Sequence, residues 1–265
     1  MKSFLFLTAL FFAAGAGAQE LVTLQTRPGV GESFFIAAMG EQRPQAVAIM
    51  LSGGGGNIHL RREGGRIRFG AQNFLPRARA EFIRNGVLPL IVDNPTDQQA
   101  GTGMSDVFRA SAEHASDIGA VVREAKARYP GVPVFLVTTS RSTLSGAYLA
   151  AALGEELAGV VLTSSLFYEG NSRQARGALV GFDWSRIKIP LLLVHHRDDA
   201  CRATPYREAA ALAGRFPLVS VSGGKAPESG PCEPLAAHGY FGREAQTVDA
   251  IAAWMLKRPF AKEVE

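Results

Sequence analysis

Residues 134–153 read VFLVTTSRSTLSGAYLAAAL. The opening VFLV is a continuous apolar run, typical of a strand that is buried on both faces of a sheet. The stretch from Ser142 to Leu153 predicts a helix, and the residues between turn sharply from one element into the other. That turn presents Ser140 to solvent above the helix N-terminus, where free backbone N–H groups favour a developing negative charge. Because ligands of open α/β sheets bind beyond the carboxyl ends of the strands, this stretch predicts a functional site at Ser140.

Strands and helices alternate along the rest of the chain. The predicted strands are Leu21 to Thr26 and Ser33 to Met39, which form a hairpin around Pro28-Gly29, then Ala46 to Leu51, Val87 to Val92, Val134 to Val137, Val160 to Leu162, Ile189 to Val194 and Leu218 to Val221. The predicted helices are Arg77 to Arg84, Ser105 to Tyr129, Ser142 to Leu153, Pro205 to Leu212 and Gly242 to Leu256. This order predicts a single α/β domain over 19–265, with an eight-stranded, mostly parallel sheet, an N-terminal antiparallel hairpin and helices on both faces. The short path from Val160 to Ile189 leaves no room for a large lid.

The N-terminus predicts a signal peptide over 1–18. A short basic start precedes the apolar run Phe4 to Ala14, and Ala16 and Ala18 form an A-x-A cleavage pattern. The apolar run is shorter than the roughly 20 residues that span a bilayer. The alternatives are a membrane anchor and a buried N-terminal helix. We therefore expect a periplasmic or secreted protein that begins at Gln19.

Charge and cysteine content narrow the function classes. The formal net charge of +4 is small and spread along the chain. Its densest basic stretch, Arg61 to Arg68, lacks interleaved aromatic residues, which favours a solvated loop and argues against a nucleic-acid partner. Cys201 and Cys232 are the two cysteines, and in an exported chain an even count predicts one disulfide rather than two free thiols.

The Ser140 turn resembles the nucleophile elbow of the α/β-hydrolase superfamily. That family has G-x-S-x-G, whereas this chain has Thr138 and Ser142 at the glycine positions. Glycines there permit a strained turn and close strand–helix packing, so the β-branched Thr138 is expected to crowd the turn. The alternative function of Ser140 is a polar helix N-cap.

Two later segments extend the resemblance. The strand that ends at Val194 is followed by HHRDDAC, which resembles the family's late strand and acid and selects Asp199, with Asp198 as the alternative. His238, before the last helix, lies where the family has its catalytic histidine. The order Ser140, Asp199, His238 is the family's order of nucleophile, acid and base. A Cys201–Cys232 disulfide would tie the loop that carries Asp199 (the acid loop) to the loop that carries His238 (the base loop).

The resemblance also implies an oxyanion hole. Arg141, the residue after the nucleophile, offers one amide, and the loop Ser52 to Gly56 offers the other, from Gly54 or alternatively Gly55. No G-K-[ST] follows the glycines, which argues against a phosphate-binding loop.

Other polar residues suggest competing sites. A metal site would use the residues His195, His196, Asp198 and Asp199, but neighbours on a strand point to opposite faces, so we expect no metal and no cofactor. His114 and Asp117 share a helix face and could line the pocket, although a structural pair is the simpler interpretation. His59, near the glycine loop, could also line the pocket, although a structural role is again the simpler interpretation.

The resemblance implies a serine hydrolase, similar to an esterase or a dienelactone hydrolase. It would cleave a small carboxylic ester, or a thioester, lactone or amide, through an acyl-enzyme intermediate. The substituted elbow motivates the alternative, a non-catalytic ligand-binding protein on the same fold.

Overall fold

The computed structural model of the protein describes residues 18–70, 72–168 and 178–265, so the predicted signal peptide lies, except for Ala18, outside the described residues. The strands are β1 (Glu20–Arg27), β2 (Val30–Ile36), β3 (Ala46–Leu51), β4 (Arg61–Glu63), β5 (Arg66–Arg68), β6 (Val87–Val92), β7 (Val134–Thr139), β8 (Gly159–Thr163), β9 (Leu191–His196), β10 (Leu218–Val221) and β11 (Glu263–Val264). The α-helices are α1 (Phe74–Arg77), α2 (Arg79–Arg84), α3 (Asp106–Arg109), α4 (Ala112–Arg128), α5 (Ser142–Leu153), α6 (Tyr206–Ala211) and α7 (Glu244–Met255). Short 3₁₀ turns occur at Thr96–Gln98, Gly154–Glu156, Trp184–Arg186 and Ala237–Gly239.

The main sheet confirms the predicted fold class. In the described part of the chain it has nine strands, in the order β1-β2-β6-β3-β7-β8-β9-β10-β11. The pairs β1–β2 and β2–β6 are antiparallel, and every pair from β6 to β11 is parallel. The central strands β3, β6 and β7 are buried at every position, which is why their sequences are continuous apolar runs rather than alternating ones.

Helices cover the sheet in two groups. Helix α4 packs against α5, whereas α2 packs against α7. The crossover through α2 leads from β3 to β6 in one direction along the sheet, and the crossover through α4 leads from β6 to β7 in the other. Right-handed crossovers therefore place α2 and α4 on opposite faces. None of the described helices combines the length and apolar character needed to cross a bilayer.

Three details differ from the sequence-based expectation. The sheet has a ninth strand, the two-residue β11, whose length is too short to give a periodic signal. The basic stretch Arg61 to Arg68, expected to be a loop, forms the exposed hairpin β4–β5. The helix predicted over Ser105 to Tyr129 is divided into α3 and α4, because the Ser111 side chain accepts a hydrogen bond from the amide of His114 and begins a new helix.

The connection between β8 and β9 starts at the carboxyl end of β8. It runs from 164 to 190, and its described residues contain no α-helix and no strand, only the 3₁₀ turn Trp184–Arg186. A segment of this length has no room for a lid domain, as the sequence predicts.

Candidate active site

Ser140 lies in a strained turn between β7 and α5. Its φ is +54°, in the left-handed region that side chains other than glycine rarely adopt. Neighbouring groups hold this conformation: the Ser140 amide donates to Thr163 O at 2.9 Å, and Ser140 O accepts from Thr143 N at 2.9 Å and Thr143 Oγ1 at 2.6 Å. The backbone thus adopts the elbow geometry although the flanking glycines of the family pattern are missing.

The elbow accommodates both departures from the glycine pattern. Thr138 is fully buried, and a Cβ added to Gly146 of α5 would lie 2.5 Å from Thr138 Oγ1. Glycine at 146 therefore supplies the space that glycine at 138 would otherwise supply. Ser142 is buried as well, and its hydroxyl donates to Ser52 O of the glycine loop. The expected crowding at Thr138 is thus relieved by the helix that packs against it.

The side chains of Ser140, His238 and Asp199 are brought into one hydrogen-bonded row. His238 Nε2 lies 3.0 Å from Ser140 Oγ, and His238 Nδ1 lies 2.9 Å from Asp199 Oδ2. The histidine side chain is 6% exposed and the aspartate side chain is fully buried. These are the contacts by which an imidazole takes a proton from a hydroxyl while a carboxylate fixes its tautomer and orientation.

The two aspartates that follow β9 differ sharply in environment. Asp199 accepts hydrogen bonds from Cys201 N at 2.9 Å and Thr204 Oγ1 at 2.7 Å, in addition to its contact with His238. Asp198 is 72% exposed at its side chain, and its Oδ2 lies 3.9 Å from His196 Nδ1. Of these two aspartates, Asp199 is the one that contacts the His238 ring.

A tyrosine anchors the loop that carries His238. The hydroxyl of Tyr240, fully buried, donates to Val194 O at 2.7 Å and accepts from Ser164 N at 3.0 Å, while Ser164 Oγ donates to His238 O at 2.8 Å. Burial raises the pKa of this phenol, which keeps it a donor across the working pH range. Arg77 adds a bond from α1 to Gly239 O at 2.7 Å. The loop is therefore fixed to the ends of two strands and one helix.

Two backbone amides next to this row of side chains have no acceptor within the described residues. Within the described residues, the amides of Gly54 and Arg141 donate no hydrogen bond. Gly54 has a φ of +63°, which favours glycine there. The Arg141 side chain is directed to α3, where Nε donates to Asp106 Oδ1 at 2.7 Å. Both amides suit a forming oxyanion.

A pocket of about 150 Å³ opens beside Ser140 and His238. Its other lining residues are Gly53, Gly54, Asn73, Phe74, Thr139, Cys232, Pro234 and Gly239. A larger depression of about 500 Å³ lies at the opposite edge of the sheet, next to the starts of β3 and β6. The candidate site is thus the smaller cavity, at the carboxyl ends of the strands where the fold places ligands.

Cys201 and Cys232 form a disulfide across 31 residues of sequence. It joins the acid loop to the base loop, and Cys232 also lines the pocket. The ligand atoms of Asp199, Cys201 and His238 lie within 4.8 Å of one another, a grouping that can hold a metal ion. In the disulfide-bonded protein the Cys201 sulfur is already bonded to Cys232.

The remaining polar residues that the sequence singled out lie elsewhere. His195 Nε2 accepts from Ser165 N at 2.7 Å, whereas His196 Nε2 lies 2.9 Å from Gly223 O, so the two rings do not converge. His114 and Asp117 are buried but do not line the pocket: Asp117 contacts Thr26 and Arg27, while His114 packs against the Phe108 ring. His59 is exposed in the loop that follows the glycines.

Sequence reasoning missed several residues that support the site. Thr204 and Ser164 contact the acid and the base loop, and Arg109 contacts the glycine loop. No local pattern marks them, because each acts on a residue far away in the sequence. The one available signal was the aromatic residue after His238-Gly239, which is Tyr240.

Comparison with solved structures assigns the fold. Est1E from Butyrivibrio proteoclasticus matches with a TM-score of 0.58 and 15% identity, over 91% of this chain and 98% of Est1E. The esterase domain of a Rhodothermus marinus protein matches with a TM-score of 0.57 and 16% identity, over 91% and 99%. XC6422 from Xanthomonas campestris, an α/β serine hydrolase without a lid, matches with a TM-score of 0.54 and 16% identity, over 87% and 93%.

These similarities show that the chain has the α/β-hydrolase fold. At identities this low they establish the fold and not the chemistry. No model of a known protein family and no curated protein sequence matches the chain.

Proposed function

We propose that the protein is an exported serine hydrolase that cleaves small carboxylic esters through an acyl-enzyme intermediate. Its single domain is residues 19–265. The observation that carries this proposal is the row of contacts from Ser140 Oγ to His238 Nε2 at 3.0 Å and from His238 Nδ1 to Asp199 Oδ2 at 2.9 Å. The esterases and hydrolases among the structural neighbours support the same class of reaction.

The reaction divides into two acyl transfers. His238 Nε2 takes the proton of Ser140 Oγ as the oxygen bonds to the substrate carbonyl carbon, and Asp199 stabilises the imidazolium. When the tetrahedral intermediate collapses, the C–O bond to the leaving alcohol breaks and His238 returns its proton to that oxygen. In the second transfer, His238 takes a proton from water as the water oxygen bonds to the acyl carbon. The bond between that carbon and Ser140 Oγ then breaks, Oγ receives the proton from His238, and the acid leaves.

The negative charge on the carbonyl oxygen needs donors that are already in place. The amides of Gly54 and Arg141 take this role, and Gly55 is the alternative to Gly54. Loss of one such donor typically removes about 3 kcal/mol of transition-state stabilisation. The N-terminus of α5 adds a favourable field at the same position.

The pocket favours a small acyl group. Its volume of about 150 Å³ is well below the roughly 300–1,000 Å³ of pockets that enclose drug-sized ligands. Phe74 and Pro234 give it apolar walls, and Asn73 adds a polar amide. We infer short-chain esters as the preferred substrates, with thioesters, lactones and amides within the same chemistry.

Export is part of the proposal. The apolar run with its A-x-A site supports cleavage after Ala18, and the Cys201–Cys232 disulfide suits a periplasmic or extracellular location, where oxidation persists.

Active-site labelling tests the proposal directly. The full chain is expressed with its N-terminus intact, and the exported protein is treated with a fluorophosphonate. We expect one phosphonyl adduct on the wild type and none on Ser140→Ala, because only an activated serine reacts. The intact mass also reports whether the chain begins at Gln19. Hydrolysis of p-nitrophenyl acetate is expected to vanish in Ser140→Ala and His238→Ala, while the thermal midpoint stays near that of the wild type.

A matched control variant and a chelator treatment separate the alternative functions. Ser185→Ala changes an exposed serine away from the pocket and should label like the wild type. Treatment with a chelator should leave turnover unchanged. A loss of turnover on this treatment would favour metal-dependent chemistry. A folded wild type that takes no adduct would reject the serine mechanism and favour a ligand-binding protein on this fold.

A further inference from the structure

Arg109, at the end of α3, is fully buried without a carboxylate partner. Its side chain is 0% exposed, and no described carboxylate forms an ion pair with it. The acid on its own helix, Asp106, pairs with Arg141 instead. Burial and the neighbouring Arg141 lower the pKa of Arg109 to about 10, so the side chain keeps its charge at neutral pH. A buried, unpaired cation is costly, and retaining it calls for a compensating role.

The guanidinium connects the glycine loop to the start of α5. Nη2 donates to Gly54 O at 2.9 Å. Nη1 donates to Ser142 Oγ at 3.2 Å and to Ser145 Oγ at 3.3 Å. Ser142 Oγ in turn donates to Ser52 O, at the beginning of the same loop. One side chain therefore contacts both elements that carry the amides of Gly54 and Arg141.

The carbonyl groups of Gly53 and Gly55, in the same glycine loop (Ser52 to Gly56), also accept hydrogen bonds. The Gly53 carbonyl accepts from Gly56 N at 3.2 Å, and the Gly55 carbonyl accepts from Met104 N and Asn94 Nδ2, each at 2.9 Å. With the bonds to Ser52 O and Gly54 O, each carbonyl from 52 to 55 accepts a hydrogen bond from the protein. Fixing these carbonyls fixes the peptide planes between them, which leaves the Gly54 amide free.

We propose that Arg109 is the positioning residue of the oxyanion site: it fixes the orientation of the Gly54 peptide units, and its uncompensated charge stabilises the negative charge that forms on the substrate oxygen. This inference rests on the proposed ester-hydrolase function. It also explains Ser142 in place of the family's second elbow glycine, because a hydroxyl at that position accepts from Arg109 and donates to Ser52 O.

The test compares Arg109→Met and Arg109→Lys with p-nitrophenyl acetate as substrate. We expect kcat to fall roughly 100-fold in Arg109→Met, the typical effect of misplacing a catalytic group by about 1 Å, while KM stays nearly unchanged. The Ki of a trifluoromethyl ketone, whose adduct with Ser140 carries an oxyanion, should rise by the same factor. Arg109→Lys keeps the charge but not the fork of donors, so it should recover part of both quantities.

A control variant and a stability measurement exclude a general packing effect. Arg123→Met removes an exposed arginine that pairs with Glu156, and it should keep wild-type kcat and Ki. The thermal midpoint of each variant is measured beside its kinetics, because a purely structural residue would change stability without moving kcat and Ki together.

Each remaining outcome decides the question. Wild-type kcat and Ki in folded Arg109→Met would overturn the inference while leaving Ser140 labelling intact. If that variant does not fold, Arg109→Lys decides in the same way: a joint shift of kcat and Ki supports the role, and two unchanged values overturn it. A wild type that neither hydrolyses esters nor takes the phosphonyl group would reject the proposed function, and the inference would fail with it.

Discussion

Two histidines and one glutamic acid are among the titratable side chains buried outside the row formed by Ser140, His238 and Asp199. His114 is 1% exposed and His195 is 0% exposed, and burial is the main cause that lowers the pKa of each to about 3. Glu32 is also 0% exposed, and burial raises its pKa well above the usual value. Both histidines are therefore neutral in the folded protein near neutral pH, and each of the three groups links stability to pH.

The two histidines and the glutamic acid make the stability of the fold depend on pH in opposite directions. As pH falls below about 6.5, the unfolded chain protonates His114 and His195 and the folded chain does not, so the stability that these two residues contribute is lost between about pH 6.5 and pH 3. Glu32 behaves in the reverse sense: its stability contribution is present below the unfolded pKa and is lost as pH rises towards the raised folded pKa.

His114→Phe should make the protein less sensitive to acid. Neither ring nitrogen of His114 has a partner within the described residues, and the ring packs on Phe108, so phenylalanine keeps the packing and removes the titration. Between pH 7 and pH 5 the variant should gain about 2 kcal/mol relative to the wild type in free energy of unfolding. Urea unfolding at both pH values measures this difference.

A variant whose effect on the pH dependence of stability is opposite serves as the control. Glu32→Gln removes the carboxyl group, so the wild type should lose stability relative to this variant as pH rises. Equal pH dependence of wild type and His114→Phe would mean that His114 is protonated in the folded protein, contrary to its burial.

At the scale of single elements, the elbow shows that the helix can provide the space that a glycine on the strand would provide. The larger residue, Thr138, is on β7, and the glycine, Gly146, is on α5. A Cβ at 146 would lie 2.5 Å from Thr138 Oγ1 and 2.6 Å from Leu162 Cδ2, both closer than real Cβ atoms approach. The packing of α5 on β7 and β8 depends on this choice.

A double-mutant cycle tests the pair. Gly146→Ala should cost about 1–3 kcal/mol of stability through overpacking. In the Thr138→Gly background, Gly146→Ala should cost less than in the wild type, because the contact with Thr138 is gone and the one with Leu162 remains. Chemical denaturation of the two single variants and the double variant gives the coupling energy, which we expect to be at least about 0.5 kcal/mol. Additive effects would show that the two sites do not share this space.

The same elements show what the sequence could reveal about the fold. Strands β3 and β6 and helix α5 have the predicted bounds, since each is a strong apolar or helical run that ends at turn residues. The break before α4 was missed because a serine inside a helical pattern caps a helix only when its side chain bonds the backbone, as Ser111 does. Val107, an apolar residue within the helix predicted over Ser105 to Tyr129, lies in the short helix α3 and is 80% exposed.

At the scale of the whole molecule, the candidate site joins residues that the chain keeps far apart. Ser140, Asp199 and His238 follow three different strands of a sheet whose parallel strands end at one edge. Their grouping was expected from the resemblance to the order of nucleophile, acid and base in the α/β-hydrolase superfamily. The supporting contacts of Arg109, Ser164 and Thr204 could not be predicted. They depend on which loops touch after folding, and nothing local in the sequence encodes that.

The disulfide is the covalent link between the acid loop and the base loop, and its loss should affect both stability and turnover. Closing a loop of this length is worth about 3–4 kcal/mol in the chain-entropy model, so Cys201→Ser with Cys232→Ser should lower the free energy of unfolding by about that amount. Asp199 keeps its bond to the amide of residue 201 in that variant, whereas the segment from 232 to His238 loses its tether.

Turnover therefore distinguishes the catalytic contribution of the disulfide from its stabilising one. Reduction of the wild type at a temperature far below its midpoint should lower kcat while near-ultraviolet circular dichroism stays native, and reoxidation should restore it. The double serine variant should be insensitive to the reductant, which excludes effects of the reagent. Full turnover in the folded, reduced protein would mean that the Tyr240 and Arg77 contacts alone hold His238 in place. The disulfide would then act on the unfolded chain only, and the geometry of the site would come entirely from the noncovalent fold.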